Sequence, residues 1–547
     1  MDLRVAWRSL ITSDSPVLIV GAGPTGLVLA IELARRGVPF HLVDRHPQPL
    51  AWDRATVVKS RSLEVFAGIG LADTFVQRGR IVRGVNLFVG EAKVASLGFD
   101  SLDSPFPFDL GIPEHETERI LTERLEQLGG QVERGVEFVG LEQGELNVRA
   151  PLRSLDQTER TLEASWVFGA DGVHSGVRDA IGDQFDGHDN PTQWGVVDAH
   201  LSGWGHPSDL AAVQLEPPSV NPIPLADGRW RIYFRPDPNE DHVLKTVGAR
   251  LAATSPGAQL QDPDEPQLFY THSRVARRYR IGRVMLGGDA AHACSPIEGH
   301  GMNTGIQDAY NLGWKLALVA TGVAPETLLD SYEAERRPVA QAIAGSGDEA
   351  EARALQPDPT ARQALVQFLT TPEGRGAAAM AEAEIAFGYD RSPIVDEIVP
   401  DARTATSGTQ VGFRVGDAAP LARRQGACCL HECIAVPGHS LFVLLGEPDP
   451  TALDGGLALA RAVSERYGRH VQAWVVTRNA VPGHGTVDEL LCDPTGALHE
   501  RLGADRPCLC LVRPDGHLGL RAEPPSLEAL QVHLGRIFRS EGSIPTS

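Results

Sequence analysis

The stretch Pro16–Arg45, PVLIVGAGPTGLVLAIELARRGVPFHLVDR, carries three kinds of local pattern in succession. PVLIV is short, apolar and rich in β-branched residues, which suits a buried strand. GAGPTG follows as a glycine turn, and LVLAIELARR then spaces its apolar residues helically until Gly37 stops it. VPFHLVDR reads as a second strand ending in Asp44, 23 residues beyond Gly21. Strand, glycine loop, helix and acid-terminated strand together form the βαβ dinucleotide-binding fingerprint. Gly21 permits the tight turn, Gly23 lets a pyrophosphate approach the backbone, and Gly26 lets the helix pack against its strand. The helix N-terminus, opened by Pro24, offers N–H donors and partial positive charge to a phosphate. Asp44 stands where a ribose hydroxyl would be bound, with Arg45 beside it as a further cofactor contact. The motif alone does not choose between NAD and FAD.

At 547 residues the chain exceeds one hydrophobic core and predicts two to four structural units. With 42% hydrophobic and 22% charged residues it lacks the composition of a disordered protein. A formal net charge of −21 argues against nucleic acid or an anionic membrane as partner. No apolar stretch approaches the roughly 20 residues that span a bilayer, and MDLRVAWRSLITSDS is too short in its apolar part for a secretory signal. The expected location is the cytoplasm. Seven cysteines argue against a disulfide framework, and CCLHEC, from Cys428 to Cys433, matches no standard zinc spacing, so no metal is expected. Cys508 and Cys510 alternate as on the buried face of a strand.

Two further segments end strands in acids. ASWVFGADGVHSGVR delivers Asp171, followed by Ser175 and Arg178, and has a plain alternative reading as an aspartate-capped turn. RVMLGG delivers Asp289. Pro296 then precedes a glycine-rich approach to GMNTGIQDAYNLGWKLALV, whose apolar spacing predicts a helix. Glycine clustered there means that something comes close to the main chain.

Five motifs in this order resemble the single-component, group A flavoprotein aromatic hydroxylases typified by p-hydroxybenzoate and phenol hydroxylases, including polyketide-tailoring members. They are GAGPTG with Asp44, RATVVKSRSLE from Arg54, PEHETERIL from Pro113, GADGVHSGVR from Gly169, and RRYRIGRVMLGGDAAH from Arg277. The resemblance implies FAD as cofactor, NADH or NADPH as co-substrate, and hydroxylation of a phenolic or polycyclic aromatic by O2 through a flavin C4a-hydroperoxide. It implies that the main chain of Gly299, His300, Gly301, Met302 and Asn303 lies against the isoalloxazine ring, where amides opening a helix stabilise negative charge. Asp289 would hold the ribityl hydroxyls, Pro296 would border the oxygen site, Arg54 would meet the phosphate or ribityl region, and Asp171 would serve both FAD and nicotinamide. Two departures concern flavin contact: Glu114 stands where many relatives have glutamine, and His300 stands inside the usual GQG. His300 is a candidate acid–base group or a hydrogen-bonded loop residue; His292 is expected to be structural. Baeyer–Villiger or other oxidative tailoring on the same scaffold, an NAD-dependent dehydrogenase, and a catalytically silent flavin-binding protein remain as alternatives.

The implied fold is α/β: a Rossmann-like FAD-binding domain (1–185 and 269–400), an inserted substrate-binding sheet (186–268), a linker (401–410) and a thioredoxin-like domain without CxxC (411–547). In RWRIYFRP, Arg231, Tyr233 and Arg235 share one strand face and Trp230, Ile232 and Phe234 the other; which face meets the substrate is open. A homodimer is compatible with these features.

Overall fold

A computed structural model describes residues 15–50, 55–217, 219–237, 242–355, 358–399, 408–417, 421–423, 426–447, 449–480 and 490–539. Its centre is a sheet of six strands in the order Arg280–Ile281, Val284–Leu286, Trp166–Gly169, Val17–Val20, Phe40–Asp44, Val132–Arg134. All its neighbours pair in parallel except the first two. Val17–Val20 is buried along its whole length, as a parallel strand covered on both faces must be. The helix Pro24–Arg35 leaves that strand through the glycine loop and packs against the helices Gly301–Ala320 and Glu114–Gln127. The close approach of this helix to its loop and strand needs Gly26, because a Cβ there would lie 1.9 Å from the Gly21 carbonyl oxygen.

A second, antiparallel sheet contains Val220–Pro224, Arg229–Phe234 and Trp194–Ser202, with Gln259–Gln261 and Gln267–Phe269 both paired to the last. Trp230, Ile232 and Phe234 turn to the helix Val243–Thr254 and form an apolar cluster with Val247 and Leu251. The period of two along a strand then aims Arg231, Tyr233 and Arg235 at the rest of the molecule. Beside this sheet, Gly84–Val89 pairs in parallel with Ala211–Gln214, so distant chain segments share one layer.

The C-terminal part is an eight-stranded sheet. His439–Gly446 crosses over through the helix Pro450–Tyr467 to its parallel neighbour Val471–Thr477. On its other side it pairs antiparallel with Cys508–Val512, which forms a hairpin with Leu518–Ala522 before the helix Leu527–Ile537. Asp396–Ile398 adds an edge strand to this sheet. Cys508 and Cys510 are buried within it.

One continuous apolar core joins this part to the first sheet, running from Val17 and Ile306 to Leu441, Leu511 and Phe538. A buried polar cluster crosses the same junction: Arg513 donates to both carboxylate oxygens of Glu335, at 2.7 and 2.8 Å, and Lys315 donates to Glu335 at 2.7 Å. The mixed α/β architecture is as expected.

Candidate active site

The glycine-loop end of the site is built from the helix Pro24–Arg35. Gly23 caps it without a side-chain acceptor, and no acid occupies its first turn. Its first amides are therefore left for an anion. A Cβ on Gly23 would meet nothing nearer than Glu118 Oε1 at 3.9 Å, so the space over this residue is open. Asp44 is held by its own surroundings: Oδ2 accepts from Ala22 N and Oδ1 from His46 N, both at 2.8 Å. This fixes the carboxylate beside the glycine loop. Arg45 is at the surface, with Nε 3.3 Å from His46 Nε2. Arg54 lies outside the described residues.

Asp171 closes a turn after its strand. Its carboxylate accepts from Ser175 Oγ at 2.5 Å and Val177 N at 3.1 Å, and burial pushes its pKa up. Ser175 in turn caps the next helix by accepting from Arg178 N. Arg178 donates to Ala290 O at 3.0 Å and to Val173 O at 2.8 Å, which ties this turn to the one carrying Asp289. Asp289 itself is exposed in the short turn Gly288–Ala290. Under that turn, buried Asp308 accepts from Gly288 N, His292 Nε2 and Arg336 Nε. Burial opposes its charge, but His292 and Arg336 prevail and lower its pKa. His292 is thereby a support of the turn.

Thr25 brings these motifs together. A Cβ on Gly288 would lie 2.5 Å from Thr25 Oγ1, and one on Gly305 would lie 2.3 Å from the same atom and 3.0 Å from Gly288 Cα. The glycine loop, the Asp289 turn and the opening of the helix Gly301–Ala320 thus meet around one small side chain. A single threonine carries no sequence signal of its own, so only packing marks Thr25.

Between turn and helix, Pro296 opens a single 3-10 turn, Pro296–Glu298, capped by Ser295. Gly299 follows at φ 69°, a left-handed conformation that glycine takes without strain. Gly301 and Met302 are half-buried. Asn303 is fully buried: its amide donates to Val57 O and Gly299 O and accepts from Lys59 N. The residue pins the loop to the strand Val57–Val58 by its side chain.

His300 points inward, with Nδ1 2.7 Å from Glu384 Oε1. Glu384 also accepts from Gln307, and Lys59 pairs with Glu382 and, at 3.5 Å, with Asp109. Burial pushes Asp109 up to about 7 against the opposing charge of Lys59. Burial alone would lower the His300 pKa, yet the hydrogen bond and charge of Glu384 raise it. No pattern in the sequence links these groups, which come from separate elements.

Across from the loop stands the inner face of the second sheet. Trp194, Val196, Tyr233 and Phe269 form a small apolar cluster that reaches Ile297, the residue after Pro296. Tyr233 Oη lies 2.9 Å from Thr56 Oγ1, and Arg231 pairs with both oxygens of Asp198 while donating to Ala55 O. Arg235 stacks over Trp194 at 4.3 Å and bonds to Glu351.

Residues 14–346 match the FAD binding domain family. The 6-methylpretetramide 4-monooxygenase of Streptomyces rimosus is 34% identical, over 95% of this chain and 93% of its own. This chain belongs to the FAD-dependent aromatic monooxygenase family. Pentachlorophenol 4-monooxygenase of Sphingobium chlorophenolicum is a further relative of this family, 33% identical over 74% of this chain and 76% of its own. Among solved structures, the anhydrotetracycline hydroxylase OxyS of S. rimosus superposes with a TM-score of 0.73 at 30% identity, covering 96% of this chain and 99% of its own. Aklavinone-11 hydroxylase, in a ternary complex with FAD and aklavinone, gives 0.76 at 26% identity with the same coverage. The cofactor of this monooxygenase is FAD and its co-substrate NAD(P)H. The residues present suit FAD: uncapped helix amides, open space over Gly23, an exposed Asp289, and a loop without side chains at Gly299 and Gly301.

Proposed function

We propose that this monooxygenase hydroxylates a polycyclic, phenolic aromatic of the polyketide type, held between the inner sheet face and the loop Pro296–Asn303. The observation that carries this reading is the apolar cluster of Trp194, Val196, Tyr233 and Phe269 reaching Ile297. A flat aromatic of several rings suits such a wall, and the relatives named for tetracycline-type substrates span nearly the whole chain.

The amides after Gly23 would hold the pyrophosphate, Asp44 the adenosine ribose through the loop that it braces, and Asp289 the ribityl chain. Arg45, Arg54, Pro24 and Asp171 complete the proposed contacts, Asp171 by keeping its turn in shape. The amides from Gly299 to Asn303 would face the ring system, with the partial positive charge of a 20-residue helix behind them. Bound FAD supplies hydride acceptance from NAD(P)H and activation of O2; the protein places the aromatic and keeps water out. Pro296 and Ile297 would form the apolar rim where the aromatic meets the loop. Tyr233, next to Thr56, and Arg231, next to Ala55, would orient a substrate hydroxyl at the sheet side of the loop.

Separate sheets support an inserted substrate layer and a C-terminal part, while Gly84–Val89 and Asp396–Ile398 cross the bounds 186–268 and 269–400 by pairing with Ala211–Gln214 and Leu518–Ala522, and residues 401–407 of the linker lie outside the described residues. The C-terminal part is read as thioredoxin-like, supported by a crossover pair of parallel strands flanked by an antiparallel hairpin and a last helix. We assign the enzyme to the cytoplasm, where NAD(P)H is at hand; among the described residues no helix is long and apolar enough to cross a membrane.

The test is a panel of phenols, hydroxybenzoates and polycyclic aromatics added to the purified enzyme with FAD and NAD(P)H. Polycyclic phenols should stimulate NAD(P)H oxidation most and return a product one oxygen atom heavier. Stimulation by small phenols alone would overturn the substrate class.

A further inference from the structure

The residue between the two loop glycines points into the protein. His300 is 7% exposed and rests on Glu384, which is 2% exposed and holds a left-handed backbone conformation at φ 57°. A non-glycine residue in that conformation is uncommon and is kept only where its surroundings demand it. Here it brings Glu384 under the loop, one carboxylate oxygen to His300 and the other to Gln307.

Behind the loop lies the remainder of the same cluster. A Cβ on Gly299 would come 3.8 Å from Lys59 Nζ, so the ammonium sits against the loop backbone. Lys59 pairs with Glu382 and Asp109, and Asp109 Oδ1 is buried with no hydrogen-bond partner. The charged and titratable groups are thus Lys59 beside the helix Ser60–Gly68, Asp109 on its strand, His300 at the helix entry, and Glu382 and Glu384 at the end of the helix Pro372–Glu382. Cys294 also faces the loop, 3.6 Å from where a Gly301 Cβ would stand, and burial raises its pKa so that it stays a neutral thiol. Three carboxylates face one ammonium and one imidazole. Uncompensated buried charge is expensive, so the cluster is balanced only when it retains protons.

We propose that His300 is a positioning residue which, as an imidazolium clamped to Glu384, holds the loop Pro296–Asn303 in the shape that receives the flavin, so that FAD affinity is linked to its protonation. This rests on the FAD-dependent reading of the site. The sign follows from the raised pKa of His300: the clamp is complete below that value and weakens as pH rises through it. A neutral imidazole leaves Glu384 as a buried carboxylate facing no cation of its own, and the loop loses its anchor. The side chain acts through the backbone on either side of it.

The experiment measures the dissociation constant of FAD for the full-length protein, by flavin fluorescence, from about pH 6 to about pH 9. Wild type should weaken by about tenfold across this range, the equivalent of one unit of pKa difference between bound and free protein. His300→Gln keeps a hydrogen-bond donor for Glu384 but cannot titrate, and Glu384→Gln keeps an acceptor without charge; both should lose most of the wild-type slope, what is left belonging to Asp109. Near-UV circular dichroism checks that each variant is folded. A flat wild-type profile, which needs no variant at all, would overturn the proposal, as would a His300→Gln profile that tracks wild type. Failure to bind FAD at any pH would instead overturn the cofactor assignment beneath it.

Discussion

The indole N–H of Trp194 donates to Glu351 Oε1 at 2.8 Å, and the same oxygen accepts the hydroxyl of Ser295 at 2.5 Å. Trp194 belongs to the inner face of the second sheet, and Ser295 caps the turn that begins at Pro296. One buried carboxylate on the long helix Asp330–Leu355 therefore spans the proposed substrate wall and the loop, with Arg235 bound to its other oxygen.

Glu351→Ala strands three donors in a buried site. The expected destabilisation is about 3 kcal/mol, read by urea unfolding, because one partner of a buried ion pair is lost. Glu351→Gln can retain the hydrogen bonds to Trp194 and Ser295 and should cost less. In both, wall and loop are uncoupled, so product formed per NAD(P)H consumed should fall and peroxide rise. Unchanged coupling in Glu351→Ala would remove Glu351 from this role.

Gly23 and Gly26 should respond differently to alanine. At Gly26 the added carbon would meet the Gly21 backbone oxygen at 1.9 Å, so helix and strand must separate. Loss of soluble folded protein is expected. At Gly23 the nearest atom is 3.9 Å away and φ is −72°, which alanine accepts, so stability should change by less than about 0.5 kcal/mol. FAD affinity should nonetheless fall by about tenfold or more, since the backbone approach is obstructed. Thermal unfolding and bound flavin separate the two effects.

Acid stability should depend on Glu64. Its carboxylate accepts from Arg414 twice, at 2.7 Å, and from Arg61 at 2.8 Å. Burial opposes its charge, but Arg414 and Arg61 prevail and bring the pKa down to about 2. A lowered carboxylate pKa stabilises the fold above the unfolded value and is lost as pH falls through the folded one. The contribution near neutrality is about 3 kcal/mol, of which roughly 1 kcal/mol is gone by about pH 3.5. Glu64→Gln should narrow its stability gap to wild type over that interval in urea unfolding, and a gap independent of pH would contradict the assignment.

Arg513 should hold the C-terminal sheet to the rest of the molecule. Its pairs with Glu335 and Asp515 are buried, and its removal leaves both acids facing mainly Lys315, whose pKa burial has already pushed down to about 8. Arg513→Ala should destabilise by about 3–5 kcal/mol. Urea unfolding followed by far-UV circular dichroism measures this, and an unchanged midpoint would contradict the role.

Tyr233→Phe removes the hydroxyl at Thr56 without altering the apolar wall. Stability should fall by about 1 kcal/mol, the net worth of one buried hydrogen bond. KM for a phenolic substrate should rise while flavin content stays at the wild-type level. An unchanged KM would show that the substrate hydroxyl lies elsewhere.

The glycine loop, its strand and helix, the acid-ended strands and the alternation in RWRIYFRP were legible in the amino-acid order alone, because each depends on backbone conformation and burial within a few successive residues. For the same reason the family could be recognised from five short motifs. What only tertiary packing decided was which residues those motifs would face. Thr25 wedged between Gly288 and Gly305, the choice of the Arg231–Tyr233 face as the inner one, and Trp194 on Glu351 join residues far apart in the chain. So does the inward turn of His300 onto Glu384, 84 positions away. Such pairings follow no period: they are set by the shape of the packed core and by the cost of leaving a buried charge or donor without a partner, and that cost is defined only once the chain has closed around it.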